Sequence, residues 1–245
     1  MTIASEFHRA WLLHRRPYKE RSVIADCLVE GHGRVSMVVR GVRQARSKSS
    51  VLLQPFNPLL VRWKGRSELK TLVDIEPGGS SVFLTGKRLY CGFYVNELLM
   101  RAMIPGQPLE GVTSLYQETV ARLARGESVE SVLRSFELDL LSLSGYEPAL
   151  AWDALEGNPL REGVTYRFLP EQGLIPVTGP VASRERSYCY RAEVLLALSR
   201  RDFHQPHYFS SFKRFTRQAL EPLIGQKPMQ SRLLFQKSDT RVSVS

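Results

Sequence analysis

The spacing of apolar residues changes once, at Pro77-Gly78-Gly79, and this change limits the fold more than any other feature of the chain. Before it, the apolar segments are short and turn-bounded: RAWLLHR, SVIADCLVE, RVSMVVRG, LLQPFNPLLVRW and ELKTLVDIE. Gly31-His32-Gly33 separates the second from the third, and Lys64-Gly65-Arg66-Ser67 the fourth from the fifth, as hairpin turns do. About five strands with no helical period between them favour a small β-barrel over a parallel sheet, and the OB-fold is the commonest barrel of that strand count. After the change, KRLYCGFYVNELLMRAM, LYQETVARLAR and SVLRSFELDLLSLSG repeat at helical spacing. Ser128 is placed to cap the last of these and Gly145 to end it. Residues 146–183 are rich in Gly and Pro and read as a loop insertion with one hairpin in GVTYRFLPEQGLIPV. AEVLLALSRRDF, YFSSFKRFTRQALEPLIG and SRLLFQ return to helix, and the terminal KSDTRVSVS is expected to fray. The expected fold class is therefore α+β and multidomain, with an OB-fold barrel over residues 1–80 and a helical domain over residues 81–245.

Alternation sorts the strand residues into faces. Val35, Met37 and Val39 share one face of their strand, with Arg34, Ser36, Val38 and Arg40 on the other. Leu59, Val61 and Trp63 likewise oppose Leu60, Arg62 and Lys64. Trp63 is in phase with the core, so it is either structural or a base-stacking platform, and Tyr18, beside Arg15, Arg16 and Lys19, is a second stacking candidate.

Charge follows the same division. Residues 1–80 carry a net +7, residues 81–183 a net −4 and residues 184–245 a net +7. Between Gly31 and Ser67 there is no Asp or Glu, while eight Lys or Arg fall there. Segregated charge of this kind suits a polyanion better than it suits general solubility. Arg34, Arg40, Arg43, Arg46, Lys48, Arg62, Lys64 and Arg66 are the candidate DNA-binding residues, with a flexible SKSS arm among them. Such side chains neutralise phosphates and carry little base information, so weak sequence preference is expected. A second basic stretch, YFSSFKRFTRQALEPLI, sets Lys213, Arg214 and Arg217 beside an apolar stripe of Phe209, Phe212, Phe215, Ala219 and Leu220. This is either a helix packing into its own bundle or a pocket that clamps an acidic peptide tail.

Other chemistries find little support. No phosphate-binding Gly-rich loop, dinucleotide fingerprint or Gly-x-Ser-x-Gly elbow occurs, so an enzyme is not expected. Cys27, Cys91 and Cys189 are far apart and odd in number, which suits a reducing cytoplasm. His204 and His207 are separated by Pro206, which argues for a turn rather than a metal pair. His32 is expected to be solvated in its turn, and Glu137 and Asp139, two apart on a helix, cannot face each other. No apolar run is long enough for a signal peptide or a membrane span. A general RNA-binding OB protein would share the basic strip, and a nuclease would need an acidic metal cluster beside it.

In order and spacing, HRRPYKERSVIADCLVEGHGRVSMVVRGVR, LQPFNPLLVRWKGRSELKTL, LYCGFYVNELLMR, LRSFELDLLSLSGY and KRFTRQALEPLIGQKPMQSRLLF resemble the bacterial recombination mediator family RecO over nearly the whole chain. The resemblance implies an OB-fold followed by a helical domain, binding of single- and double-stranded DNA, and annealing of complementary strands without ATP. It also implies RecR and the acidic C-terminal tail of single-stranded DNA-binding protein as partners, so that RecA loads onto coated DNA. On this reading Arg134, Phe212, Lys213, Arg217 and Leu220 form the tail pocket. Many members of the family carry a four-cysteine zinc site, whereas here that region offers only Cys189, so no zinc and no other cofactor is expected.

Overall fold

The structure, a computed structural model, describes residues 6–42, 48–231 and 233–234. Five strands close into a barrel: β1 (His8–Tyr18), β2 (Ser22–Val29), β3 (Gly33–Arg40), β4 (Pro58–Lys64) and β5 (Leu69–Pro77). Around the barrel the order is β1-β2-β3-β5-β4, which with the helical domain that follows agrees with the OB-fold expectation. Neighbours are antiparallel except β3 and β5, which run parallel and pair only over Ser36–Val38 and Leu69–Thr71. The strands form because one face of each is apolar. Val35, Met37 and Val39 from β3 meet Leu59, Val61 and Trp63 from β4 and Ala25 and Cys27 from β2 in a single buried core. Gly33 begins β3 at a positive φ of 71°, and a Cβ there would lie 2.1 Å from the carbonyl oxygen of Gln107. The hairpin and the chain crossing over it both demand glycine.

By compactness the chain divides into two units, residues 1–127 with 227–245, and residues 128–226. In the first, a one-turn helix α1 (Lys48–Leu52) precedes β4, and two long helices, α2 (Gly86–Ala102) and α3 (Val112–Arg125), follow the barrel. Register in β1 shifts between Leu12 and His14, and Asn96 of α2 answers that irregularity. Its Nδ2 donates to the carbonyls of Leu12 and Leu13 at 3.3 and 3.0 Å, while the Tyr116 hydroxyl donates to its Oδ1 at 2.9 Å. All of these groups are buried, so each hydrogen bond removes the cost of a stranded polar atom. Glu97, one residue on, accepts from the backbone N–H groups of Gln230 and Ser231 at 2.8 Å each. Burial alone would raise its carboxyl pKa, but these donors, the Ser231 hydroxyl and Arg101 hold it below the ordinary range.

The second unit holds α4 (Val129–Leu143), β6 (Thr165–Leu169), β7 (Gly173–Pro176), β8 (Cys189–Arg191), α5 (Ala192–Ser199) and α6 (Phe209–Ile224). Ser128 caps α4 as expected, its hydroxyl accepting from Ser131 N–H. Gly145 at φ 76° ends it, with Gly145 N–H bonded to Ser142 and Tyr146 N–H to Leu141, the hydrogen bonds of a Schellman turn. β6 and β7 form the expected hairpin; β8 adds a third strand, giving the order β7-β6-β8. Residues 206–208, within HQPH and just after it, form a single 3-10 turn.

Candidate nucleic-acid interface

The alternation read from β3 holds. Val35, Met37 and Val39 are buried, while Arg34 and Ser36 are half-buried and Arg40 is exposed on the outer wall. Arg40 lies at the far end of the strand, opposite Ser22 on β2. On β4, Arg62 and Lys64 face outward in the same way, and Arg66 is exposed in the turn that follows. Arg43 and Arg46 lie outside the described residues, as does the fraying expected for KSDTRVSVS. Of the SKSS arm, Ser47 lies outside the described residues, and Lys48, Ser49 and Ser50 form the first turn of α1 and not a flexible arm, with Ser49 O accepting from Leu53 N–H at 3.0 Å.

Strand pairing then divides these cations into two groups. On one side, β5 brings Asp74 directly opposite Arg62. The Asp74 carboxylate lies 3.4 Å from Lys48 Nζ and 3.7 Å from Arg62. The Ile75 backbone N–H, against the opposing effect of burial, and then Lys48 and Arg62 hold that carboxyl below its ordinary pKa. The stretch without acids in sequence is thus supplied with one in space.

The other group surrounds a cavity of about 380 Å³ on the barrel wall, beside the short seam between β3 and β5. Arg34, Arg66 and Lys70 line it, together with Arg16. Among the described residues none of Arg34, Arg66 and Lys70 forms an ion pair with a carboxylate. Arg16 is shared with Asp26, 3.3 Å away, and Ser36 donates to the same buried carboxylate at 2.5 Å. Arg34 also braces the structure: its Nη1 donates to Met100 O at 2.8 Å, while its buried Nε has no hydrogen-bond partner among the described residues. Arg16 and Lys70 are absent from the candidates that the sequence suggests. Only strand pairing brings them here: Arg16 sits beside Ile24, and Lys70 follows Leu69, which pairs with the outward-facing Ser36.

The aromatic candidates resolve differently. Trp63, 7% exposed, belongs to the barrel core, which favours its structural reading. It is covered by His8 and His32, with ring centroids 4.8 and 5.2 Å from its own and 4.5 Å from each other. His32 is therefore half-buried, because the β2–β3 turn lays it against the end of β4. Burial, and then the neighbouring His32, push the His8 pKa down. Tyr18 is half-buried under the Lys19 ammonium, 5.4 Å from its ring centre.

On α6 the apolar stripe faces its own core. Phe212 is fully buried and Leu220 is 1% exposed; Phe215 stacks against Phe168 at 4.4 Å and Tyr190 at 5.3 Å. Of the side chains expected to line a pocket, Phe212 and Leu220 are thus already covered by the bundle. Arg134, 3% exposed, is turned to Glu137 with Nη2 2.6 Å from Oε1, and its Nε and Nη1 have no partner among the described residues. Asp139 instead meets Arg201, so Glu137 and Asp139 take separate partners. Lys213 and Arg217 are exposed on the outer face of α6, and Arg214 lies 4.6 Å over the Tyr190 ring.

Among the described residues no three His, Cys, Asp or Glu side chains gather as metal ligands would, and no helix is long and apolar enough to cross a membrane. Compared with known proteins, residues 5–80 match the family model described as Recombination protein O N terminal, and residues 84–232 match Recombination protein O C terminal. A DNA repair protein RecO of Actinobacillus succinogenes is 41% identical over 229 residues, 94% of either chain. One of Pseudoalteromonas translucida is 38% identical over 234 residues, 96% of this chain and 99% of its own. One of Haemophilus influenzae is 39% identical over 231 residues, 94% of this chain and 96% of its own.

Proposed function

The chain belongs to the recombination protein O family, and on that premise we propose that it is a non-enzymatic mediator of DNA repair whose barrel holds DNA by its phosphates. The observation that carries this reading is the group of cations Arg34, Arg66 and Lys70 around one cavity, without carboxylate partners among the described residues, with Arg40 and Lys64 also on the outside of the barrel. Bare complementary strands repel each other through their phosphates. A basic surface that holds one strand and tolerates a second lowers that barrier, and no covalent step or nucleotide is required. The same contacts accept single- and double-stranded DNA, because phosphate binding does not depend on base identity.

Recruitment to coated DNA is the second half of the proposal. The exposed cations Lys213 and Arg217 of α6 suit the acidic C-terminal tail of single-stranded DNA-binding protein by charge. With the stripe beneath them filled, the contact is a surface clamp in which Phe212 and Leu220 support the helix and do not touch the tail. RecR is the proposed co-mediator and RecA the protein that finally occupies the strand.

The test is annealing of two complementary strands precoated with single-stranded DNA-binding protein, without nucleotide, using intact coat protein and coat protein lacking its tail. Acceleration only with the intact coat is expected. Absence of acceleration with either coat would contradict the mediator reading, and equal acceleration with both would remove the tail from it.

A further inference from the structure

The cavity between β3 and β5 has more than charge. It opens where the two strands are not yet hydrogen-bonded to each other: pairing starts at Ser36 and Leu69, while Arg34 and Val35 on one strand and Arg66 and Glu68 ahead of the other still line the opening. Pro105 bridges to Arg34, and Gly106 N–H donates to Arg34 O at 2.8 Å, so this segment closes the open end of the seam. The result is a recess of about 380 Å³ lined by the cations Arg16, Arg34, Arg66 and Lys70, by one carboxylate, Glu68, and by Ile24, Leu69 and Pro105. That volume lies within the usual range of small-molecule sites, roughly 300–1,000 Å³. A flat phosphate-binding surface needs no such recess.

We infer that this recess is a subsite for one unstacked nucleotide of a single strand. Arg66, Lys70 and Arg34 hold its phosphate, and its base lies against Leu69, Ile24 and Pro105. The inference rests on the proposed reading that the barrel binds DNA, and it deepens that reading by naming what the wall selects. A base inside a duplex is stacked and paired, and bringing it out costs a few kcal/mol. The phosphate contacts therefore serve any DNA, whereas the recess is filled only by a strand whose bases are free. Its occupant is consequently surrendered when that nucleotide pairs, as a strand-annealing protein requires.

The experiment compares binding of a fluorescent oligothymidylate with that of an abasic strand of equal length and equal phosphate count, using the full chain. The expected result is an affinity for the thymidylate higher on the order of tenfold, the contribution of one buried base face. In Leu69→Trp, which fills the recess and leaves every cation in place, the ratio should fall toward one. Circular dichroism checks that this variant folds. Independently of any variant, a strand carrying 5-iodouracil should photocrosslink the wild-type chain to peptides containing residues 66–70 or 105–106. Equal affinity of the wild type for both strands would overturn the subsite and leave DNA binding by the barrel intact. A ratio that persists in folded Leu69→Trp, or crosslinks only elsewhere, would also overturn it. Failure to bind either strand would overturn the DNA-binding reading and this inference with it.

Discussion

The barrel wall and α6 look alike in sequence, each setting Arg and Lys among apolar residues, yet the structure gives their cations different surroundings. On the wall, Arg34, Arg66 and Lys70 face a recess and have no carboxylate partner among the described residues. On α6, Lys213 and Arg217 stand outside a helix whose apolar face is filled by Phe168, Tyr190 and Phe203. What differs is the space behind the charge. A strand edge not yet paired leaves a gap, whereas a helix in a bundle leaves none. Basic character therefore identifies a candidate surface, and only packing reveals whether that surface can enclose anything.

The largest effect that would break this comparison is on α6. Phe212→Ala should destabilise the second unit by about 3–5 kcal/mol, since the side chain is fully buried among aromatic neighbours, while Lys213→Ala should stay within about 0.5 kcal/mol. Urea unfolding measures both, and a mild Phe212→Ala would mean that the stripe is an open pocket after all. Next in size is the wall. Arg66→Glu with Lys70→Glu should weaken DNA binding on the order of a hundredfold with little change in melting temperature, because both side chains lie at the surface. Lys213→Glu with Arg217→Glu should leave naked-DNA affinity within about threefold, as no phosphate contact is assigned there. It should also abolish the dependence of annealing on the coat protein tail.

A smaller effect sharpens the contrast within the barrel itself. Asp74 neutralises Lys48 and Arg62, so Asp74→Asn should free both and tighten DNA binding by a few fold, about one surface ion pair's worth. Its pH dependence has a definite sign. The Asp74 carboxyl titrates below its ordinary value in the folded chain, so its stabilisation is present above the unfolded pKa and is lost as pH falls through the lowered folded one. The stability difference between wild type and Asp74→Asn should thus be present at neutral pH and shrink in acid. A difference that grew in acid would assign the carboxylate to another partner.

These contrasts also mark what was legible from residues alone. The inward Val35, Met37 and Val39, the core position of Trp63 and the ends of α4 at Ser128 and Gly145 all follow from local rules of period and capping, and each holds. Contacts set by register were not legible. Asp74 reaches Arg62 only because β4 and β5 pair, and Lys70 joins the wall only because β5 runs parallel to β3. The three residues of β8 are too few to show an alternation. Asn96 gave no sign of its role, because the irregularity in β1 that it satisfies is itself a product of barrel closure. On α6 the helical period was correct but could not say whether the stripe met its own bundle or a visitor.

The central claim is that the cations around the β3–β5 recess contact phosphates. The most direct measurement is the salt dependence of single-strand binding for the wild type and for Arg66→Ala with Lys70→Ala. If each side chain neutralises one phosphate, the slope of log affinity against log salt should become shallower by about 1.4 in the variant, roughly 0.7 for each phosphate no longer neutralised. An unchanged slope with unchanged affinity would contradict the account and move the DNA surface off this wall.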